Sequence, residues 1–185
     1  MVSFDEAYGW LNKFSDLPSH LSPSVTSLVE YMNNALNAGE RPKVHYYIGV
    51  TRQVGESLSS TLDHFDRAET HLACARAYYY LGDYRSAITE FRQALSYYAG
   101  KDQFIQHNRA VTLWMLGWAF WNISNQVDAI IQWETSCQIF QRISTAPDVE
   151  SIRQNIGWYK DNYAKMCENL CQFIASVDKG TWPIE

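Results

Sequence analysis

The chain has 185 residues, of which 46% are hydrophobic and 19% are charged. That length and composition exclude a disordered chain, and they allow a buried core without disulfide or metal staples. The 20 acidic and 15 basic residues give a formal net charge of −5. Because no basic block is available to neutralise a phosphate backbone, we expect no nucleic-acid partner.

The sequence predicts a cytoplasmic protein. Its N-terminus has no basic segment followed by an apolar run, so a secretory signal is not expected. The most apolar window, residues 110–123, is about 14 residues long, and a bilayer requires roughly 20, so we expect no membrane contact. Four cysteines occur without a compact loop framework, which favours reduced thiols.

A first short helix is expected at the start of the chain, in a segment of helix and loop that we delimit as 1–21. Ser3 followed by Glu6 is a capping-box pair, and the apolar residues after it recur at helical spacing. Ser22 then stands before Pro23 in the arrangement of a helix N-cap and a first helical position. A second helix therefore begins there.

The segment 22–62 is predicted to be a degenerate repeat. An apolar stripe at helical spacing begins at Val25, and Gly39 ends that helix. The pattern after it is roughly helical, but Gly49 and Gly55 weaken the prediction.

The clearest helix–turn–helix pattern covers residues 64–100. Apolar residues on one face predict a helix over 65–81. Gly82 and Asp83 turn the chain, and Asp83 is placed to cap the following helix. This segment is therefore predicted to be one antiparallel helix pair.

A weaker copy of that pattern covers residues 102–145, with Asn125 as the cap between its two helices. The copies align at a spacing of about 42 residues, which is typical of a helical repeat array. The aligned pairs are Ala87 with Ala129 and Phe91 with Trp133.

Residues 148–178 are predicted to form one long helix. Its apolar residues alternate steps of three and four, as at the a and d positions of a coiled coil. They are Val149, Ile152, Ile156, Tyr159, Tyr163, Met166, Leu170, Phe173 and Val177. Because the flanking residues offer no complementary charges, we favour a helix that caps the last repeat of its own chain. The alternative is a homodimer with the 149–177 stripe as its seam.

The two copies resemble the tetratricopeptide repeat, whose signature is Trp-x2-Leu-Gly-x2-Tyr on one helix and Ala-x3-Phe on the next. The matching residues are His71, Cys74, Ala75, Tyr78, Ala87 and Phe91, then Leu113, Leu116, Gly117, Phe120, Ala129 and Trp133. The resemblance covers residues 66–143, with a longer period than the family's usual length of about 34 residues. Small residues such as Gly117 are expected where helix backbones approach closely.

The resemblance implies an all-α fold: a right-handed α-solenoid of antiparallel helix pairs, closed by a long C-terminal capping helix, in a single domain over 1–185. In such a fold the first helix of each pair lines a concave groove that binds a partner protein or peptide. The residues that we single out for partner binding are Arg76, Tyr79, Tyr80, Trp114, Trp118, Trp121 and Asn122.

The three tryptophans of that set lie at i, i+4 and i+7 and form one stripe. In one interpretation the stripe is an aromatic cleft for an apolar or proline-containing peptide, with Arg76 recognising a carboxylate or a backbone carbonyl. In the other, which we favour, the final helix covers the stripe as core.

Metal and catalytic chemistry have weak sequence support. His64 and His71, with acidic residues nearby, offer donors for a divalent metal, but His71 takes the place of the repeat's packing aromatic. Cys167 and Cys171 lie one turn apart without a second pair at zinc spacing. We therefore expect no metal, no cofactor and no catalytic residue.

The predicted function is a non-catalytic protein–protein interaction module, which would serve as an adaptor, scaffold or regulatory subunit. The first alternative is a regulatory or sensor segment of a larger signalling or effector protein. A helical enzyme is the second alternative, since catalytic groups can converge from distant positions.

Overall fold

The structure is a computed structural model that describes residues 2–11, 23–57, 64–98, 100 and 103–178. These residues form nine α-helices and no β-strand, so the predicted all-α class is confirmed. The helices are α1 (Phe4–Trp10), α2 (Pro23–Asn37), α3 (Arg41–Ser57), α4 (His64–Leu81), α5 (Tyr84–Tyr97), α6 (Gln103–Asn122), α7 (Gln126–Thr145), α8 (Glu150–Gln154) and α9 (Ile156–Asp178). Within the described ranges, no helix has both the length and the apolar character needed to cross a bilayer.

The chain divides into two compact units. Unit 1 comprises Met1–Leu17 and Gly100–Glu185, and it holds α1 and the helices from α6 to α9. Unit 2 comprises Pro18–Ala99, and it holds the helices from α2 to α5. The helix pairs follow the predicted segments, with α2 and α3 in 22–62, α4 and α5 in 64–100, and α6 and α7 in 102–145.

In unit 2, the turn between α4 and α5 has the predicted chemistry. Gly82 adopts a φ of 83°, a left-handed conformation that costs glycine little. The carboxylate of Asp83 accepts a hydrogen bond of 3.1 Å from the backbone N–H of Ser86, which caps α5. The predicted helix–turn–helix is therefore confirmed.

The third helix is more regular than the sequence indicated. α3 runs without interruption through Gly49 and Gly55. Val44 and Ile48 on this helix are buried in a cluster with Met32 and other apolar residues of α2 and α4. Burial of that face offsets the low helix propensity of glycine, because tertiary packing routinely overrides propensity.

Unit 2 is held together by packing of one helix pair on the other. The helix α4 packs against its partner α5 and also against both α2 and α3. The buried cluster that joins these elements contains Met32, Ala35, Val44, Ile48, Ala73, Cys74 and Ala77. Small residues on α4 allow the neighbouring helices to approach closely.

In unit 1, the helices α6 and α7 form a tightly packed pair. Asn125 caps α7 by accepting a hydrogen bond from the backbone N–H of Asp128, as predicted. Gly117 faces the indole of Trp133, and a Cβ atom at this position would overlap that ring. The expectation that Gly117 allows a close approach is therefore confirmed.

In unit 1, the C-terminal helix α9 packs along α7. The predicted single helix is interrupted at Asn155, whose N–H bonds to the carbonyl of Ile152 in a tighter turn than an α-helix makes. On either side of this break the apolar stripe continues, and Ile152, Tyr159, Met166, Leu170 and Phe173 are buried. Since α9 packs along α7, the stripe is used within the chain, which favours the capping helix over the dimer seam.

Candidate functional site

The predicted partner-binding residues of unit 2 lie on α4. Arg76 is only 9% exposed, and its guanidinium hydrogen-bonds to the Asn33 side chain of α2 while lying 5.2 Å from the centroid of the Tyr80 ring. Tyr80 is 37% exposed. Tyr79 is partly buried, and its ring contacts the edges of Tyr80 and Tyr84. Arg76 thus joins two helices, and Tyr80 offers the most surface to a partner.

The tryptophan stripe of unit 1 is divided between core and surface. Trp114 is completely buried, and its indole N–H donates a hydrogen bond of 3.1 Å to the backbone carbonyl of Val2. The indole of Trp118 donates to the same carbonyl. The ring of Trp121 lies 4.5 Å from that of Phe173 on α9. Trp114 therefore belongs to the core, where its indole meets Val2 near the start of the chain, whereas the contact with the final helix is made by Trp121.

The remaining surface at this end of α6 is formed by partly exposed rings. Trp118 and Trp121 keep some exposure, and Asn122 is exposed. The amide of Asn122 donates a hydrogen bond of 2.8 Å to the carbonyl of Trp118. Partner binding by these three residues stays a prediction.

A site that the sequence did not indicate lies in unit 2. It is a pocket of about 270 Å³ between the C-terminal half of α3, the N-terminal half of α4 and the C-terminal end of α5. The pocket is lined by Thr51, Arg52, Gly55, Glu56, Arg67, Thr70, His71, Cys74 and Tyr97. The residues from α4 occur at i, i+3, i+4 and i+7, so they lie on one face of that helix.

A buried carboxylate organises the wall of this pocket. The Glu90 side chain is 4% exposed and accepts hydrogen bonds from Arg52, through Nε at 3.0 Å and through Nη2. Its other oxygen lies 2.7 Å from Nδ1 of His71. Burial alone would raise the pKa of Glu90, but the bonds from His71 and Arg52 outweigh burial and hold that pKa below its usual value. Glu90 is therefore a carboxylate that ties α3 and α4 to α5.

Aromatic rings extend this ion-pair network at both ends. The imidazole of His71 stacks on the Tyr97 ring, with centroids 5.6 Å apart and planes inclined by 11°. The guanidinium of Arg67 lies 5.8 Å from the Tyr97 centroid. The guanidinium of Arg52 lies 5.4 Å from the ring of Tyr78. His71 thus packs against an aromatic ring and also hydrogen-bonds to Glu90.

The pocket holds two groups that bear on its chemistry, the pair of His71 with Glu90 and the thiol of Cys74. A histidine oriented by a carboxylate is the geometry of a general base, which can act on water or on a substrate proton. Burial raises the pKa of the Cys74 thiol to about 12, so the thiol stays protonated and unreactive. In the part of the chain that the structure describes, no group of three metal-binding side chains occurs.

One polar group in the pocket lacks a hydrogen-bond partner. Thr51 is 1% exposed, and its Oγ1 has no partner in the described residues. In contrast, the hydroxyl of Thr70 donates a hydrogen bond of 2.8 Å to the carbonyl of Arg67. A buried hydroxyl without a partner is uncommon in folded proteins and calls for an explanation.

Comparison with protein-family models, curated proteins and solved structures finds no match for this chain. The resemblance to the tetratricopeptide repeat therefore depends only on the residues that carry it.

Proposed function

We propose that this chain is a helical-repeat interaction module, with the stacking of a right-handed tetratricopeptide-like solenoid, that binds another protein or a peptide without catalysis. Its role would be that of an adaptor, scaffold or regulatory subunit in the cytoplasm. The buried free thiols of Cys74 and Cys137 suit a reducing compartment.

The observation that carries the proposal is the packing of α4. This helix contacts its own partner α5 and both helices of the preceding pair, α2 and α3. In repeat arrays each unit buries its apolar face against its neighbours in this manner, and the outward faces of the first helices are left for partners. Because the pairs are held by scaffold contacts, a surface side chain can vary without loss of the fold.

The partner-binding surface that we propose in unit 2 is centred on Tyr80, with Arg76 and Tyr79 beside it. Tyrosine supplies a large contact area with few rotatable bonds, which makes it a frequent anchor at interfaces. The guanidinium of Arg76 is held in place by Asn33 and by the Tyr80 ring. A partner that displaces the Tyr80 ring would contact the guanidinium of Arg76. Because that group is already oriented, the entropic cost of binding is lower.

In unit 1, the corresponding surface is formed by Trp118, Trp121 and Asn122. Trp114 is left out of this proposed surface because it lies in the core. A peptide that contacts the two partly exposed indoles would bury apolar rings that are already fixed by packing and by the bond from Trp118 to Val2.

Site-specific photo-crosslinking tests the proposal. A photoreactive phenylalanine derivative at position 80 should capture a discrete partner in the source cell, and the same derivative at Gln93 should not. Gln93 is exposed on α5, so it serves as a matched surface control in the same unit. Tyr80→Ala should lower recovery of the captured partner about tenfold with unchanged helical circular dichroism.

Two results would contradict this function. Equal crosslinking from positions 80 and 93 would show that the contacts are not specific to the proposed surface. Turnover of a substrate that survives Tyr80→Ala and is lost in His71→Gln would instead favour the helical enzyme.

A further inference from the structure

We propose that the pocket of unit 2 binds a small organic carboxylate, held by Arg67 and Arg52 and hydrogen-bonded by the hydroxyl of Thr51. This site is separate from the partner surface around Tyr80. The pocket uses the N-terminal half of α4, whereas Tyr80 lies in the last turn of that helix.

The Thr51 hydroxyl is the first reason to expect a polar ligand. Thr51 lines the pocket and is 1% exposed, and its Oγ1 has no hydrogen-bond partner among the described residues. A hydroxyl can donate one hydrogen bond, and a ligand oxygen inside the pocket would satisfy it. Valine would fill the same space without this requirement, so the hydroxyl adds a binding group where packing alone needs none.

The charges around the pocket favour an anionic ligand. The carboxylate of Glu90 is already bonded by Arg52 and His71. Arg67 contacts the Tyr97 ring and forms no ion pair within the described part of the chain. Arg52 uses two of its five N–H donors, through Nε and Nη2, on Glu90, and the others remain for a ligand oxygen.

An acidic residue, Glu56, also lines the pocket and suggests a second feature of the ligand. Glu56 is exposed, so water screens its charge more than it screens the buried Glu90. A phosphate dianion carries more negative charge than a carboxylate ligand, so Glu56 and Glu90 would repel it more strongly. An ammonium group on the ligand would face Glu56, so an amino acid should bind at least as well as a simple acid.

The size of the pocket suits a ring that carries a short acidic arm. An apolar cavity of about 150 Å³ holds benzene, and this pocket has about 270 Å³. Gly55 contributes to this space, because a Cβ atom there would meet nothing closer than the Thr70 hydroxyl at 4.0 Å. Phenylacetate, with an aromatic ring and one carboxylate, is therefore a suitable probe.

Calorimetric titration of the full chain tests the site with three probes. Phenylacetate should bind saturably. Phenylacetamide has the same shape without the charge, and its affinity should be lower by a factor of about ten or more. L-Phenylalanine should bind at least as tightly as phenylacetate. Arg67→Gln and Thr51→Val should each weaken phenylacetate about tenfold, which corresponds to about 1.4 kcal/mol.

Two controls separate loss of the site from loss of the fold. Arg85→Gln makes the same charge change on the exposed start of α5, away from Tyr97, and should leave the affinity unchanged. Thr51→Val should raise the melting temperature of the unliganded chain while it weakens binding, because it removes an unpartnered buried hydroxyl. A damaged fold would lower both the melting temperature and the affinity for phenylacetate.

Four results would overturn the proposal. The first is equal affinity for phenylacetate and phenylacetamide, and the second is an equal loss of phenylacetate affinity in Arg67→Gln and Arg85→Gln. The third is an unchanged phenylacetate affinity in Thr51→Val. The fourth is no saturation by phenylacetate up to about 10 mM, where even weak specific binding is measurable.

Discussion

Acidification should destabilise unit 1 through one buried imidazole. His107 is completely buried; its Nε2 donates to the backbone carbonyl of Trp10 at 2.8 Å, and its Nδ1 accepts from the Tyr159 hydroxyl at 2.9 Å. Burial lowers the pKa of His107 to about 4, although the bond to Trp10 opposes this effect. The neutral ring therefore satisfies both of its nitrogens, and a protonated ring would place an unsolvated charge in the core.

The size of the effect follows from the difference between the folded and unfolded chains. The unfolded chain binds a proton at His107 below a pH of 6.5, its usual pKa, and the folded chain does so only below about 4. Between these values the unfolded state binds more protons, so stability falls as the pH falls. At about 1.4 kcal/mol for each pH unit, the loss across this window is about 3 kcal/mol.

Urea unfolding, monitored by tryptophan fluorescence, measures this loss of stability in unit 1. Of the 7 tryptophans, six lie in described helices of unit 1, and none lies in the range of unit 2, so tryptophan emission reports on unit 1. The stability difference between the wild type and His107→Gln, a neutral variant, should shrink by about 3 kcal/mol between pH 7 and pH 4. His45→Gln, an exposed change in unit 2, is the control. A difference that stays constant with pH would refute the assignment to His107.

Three further changes have defined outcomes. Burial raises the pKa of Glu69 to about 7 from its usual 4.5, against the bond from Tyr98, so unit 2 loses stability as the pH rises between these values. Glu69→Gln should remove this pH dependence and raise the free energy of unfolding at pH 8 by about 1–2 kcal/mol, measured by circular dichroism. An unchanged free energy would mean that the carboxylate is solvated. Gly117→Ala should lower the free energy of unfolding by about 1–3 kcal/mol, because the new methyl group overlaps Trp133. Fluorescence-detected unfolding measures this loss, and an unchanged value would mean that the ring moves freely. Asp83→Ala should cost about 1 kcal/mol in thermal unfolding, and an unchanged midpoint would show that the cap bond contributes nothing.

The elements that the sequence predicted well are those with local causes. The caps at Asp83 and Asn125 bond to backbone N–H groups three residues ahead, so a short stretch of sequence contains both partners. The continuity of α3 and the break at Asn155 have other causes. Glycine lowers helix propensity in α3, but burial against α2 and α4 keeps the helix intact. The apolar stripe continues past Asn155, since periodicity reports which side chains face the core and not where the backbone tightens.

The pocket was beyond sequence reasoning because its groups come from three helices. Arg52 and Glu90 are 38 positions apart, and His71 and Glu90 are 19 positions apart. Helical periodicity assigns each residue to a face but does not say which residue of another helix it meets. The burial of Glu90 becomes visible only in the structure, because its neighbour Phe91 on the same helix does not share its face.

Two titratable groups make the two units respond to pH in different directions. His107 weakens unit 1 as the pH falls from 6.5 towards 4, and Glu69 weakens unit 2 as the pH rises from 4.5 to 7. Lowering the pH from 7 to 4 should therefore reduce hydrogen-exchange protection of α7 relative to that of α4. Glu90 limits the effect at the acid end, because its lowered pKa means that unit 2 also loses stability once this carboxylate is protonated. If protection of the two helices changed in parallel at every pH, unfolding of the units would be coupled, and neither His107 nor Glu69 would control the stability of its own unit.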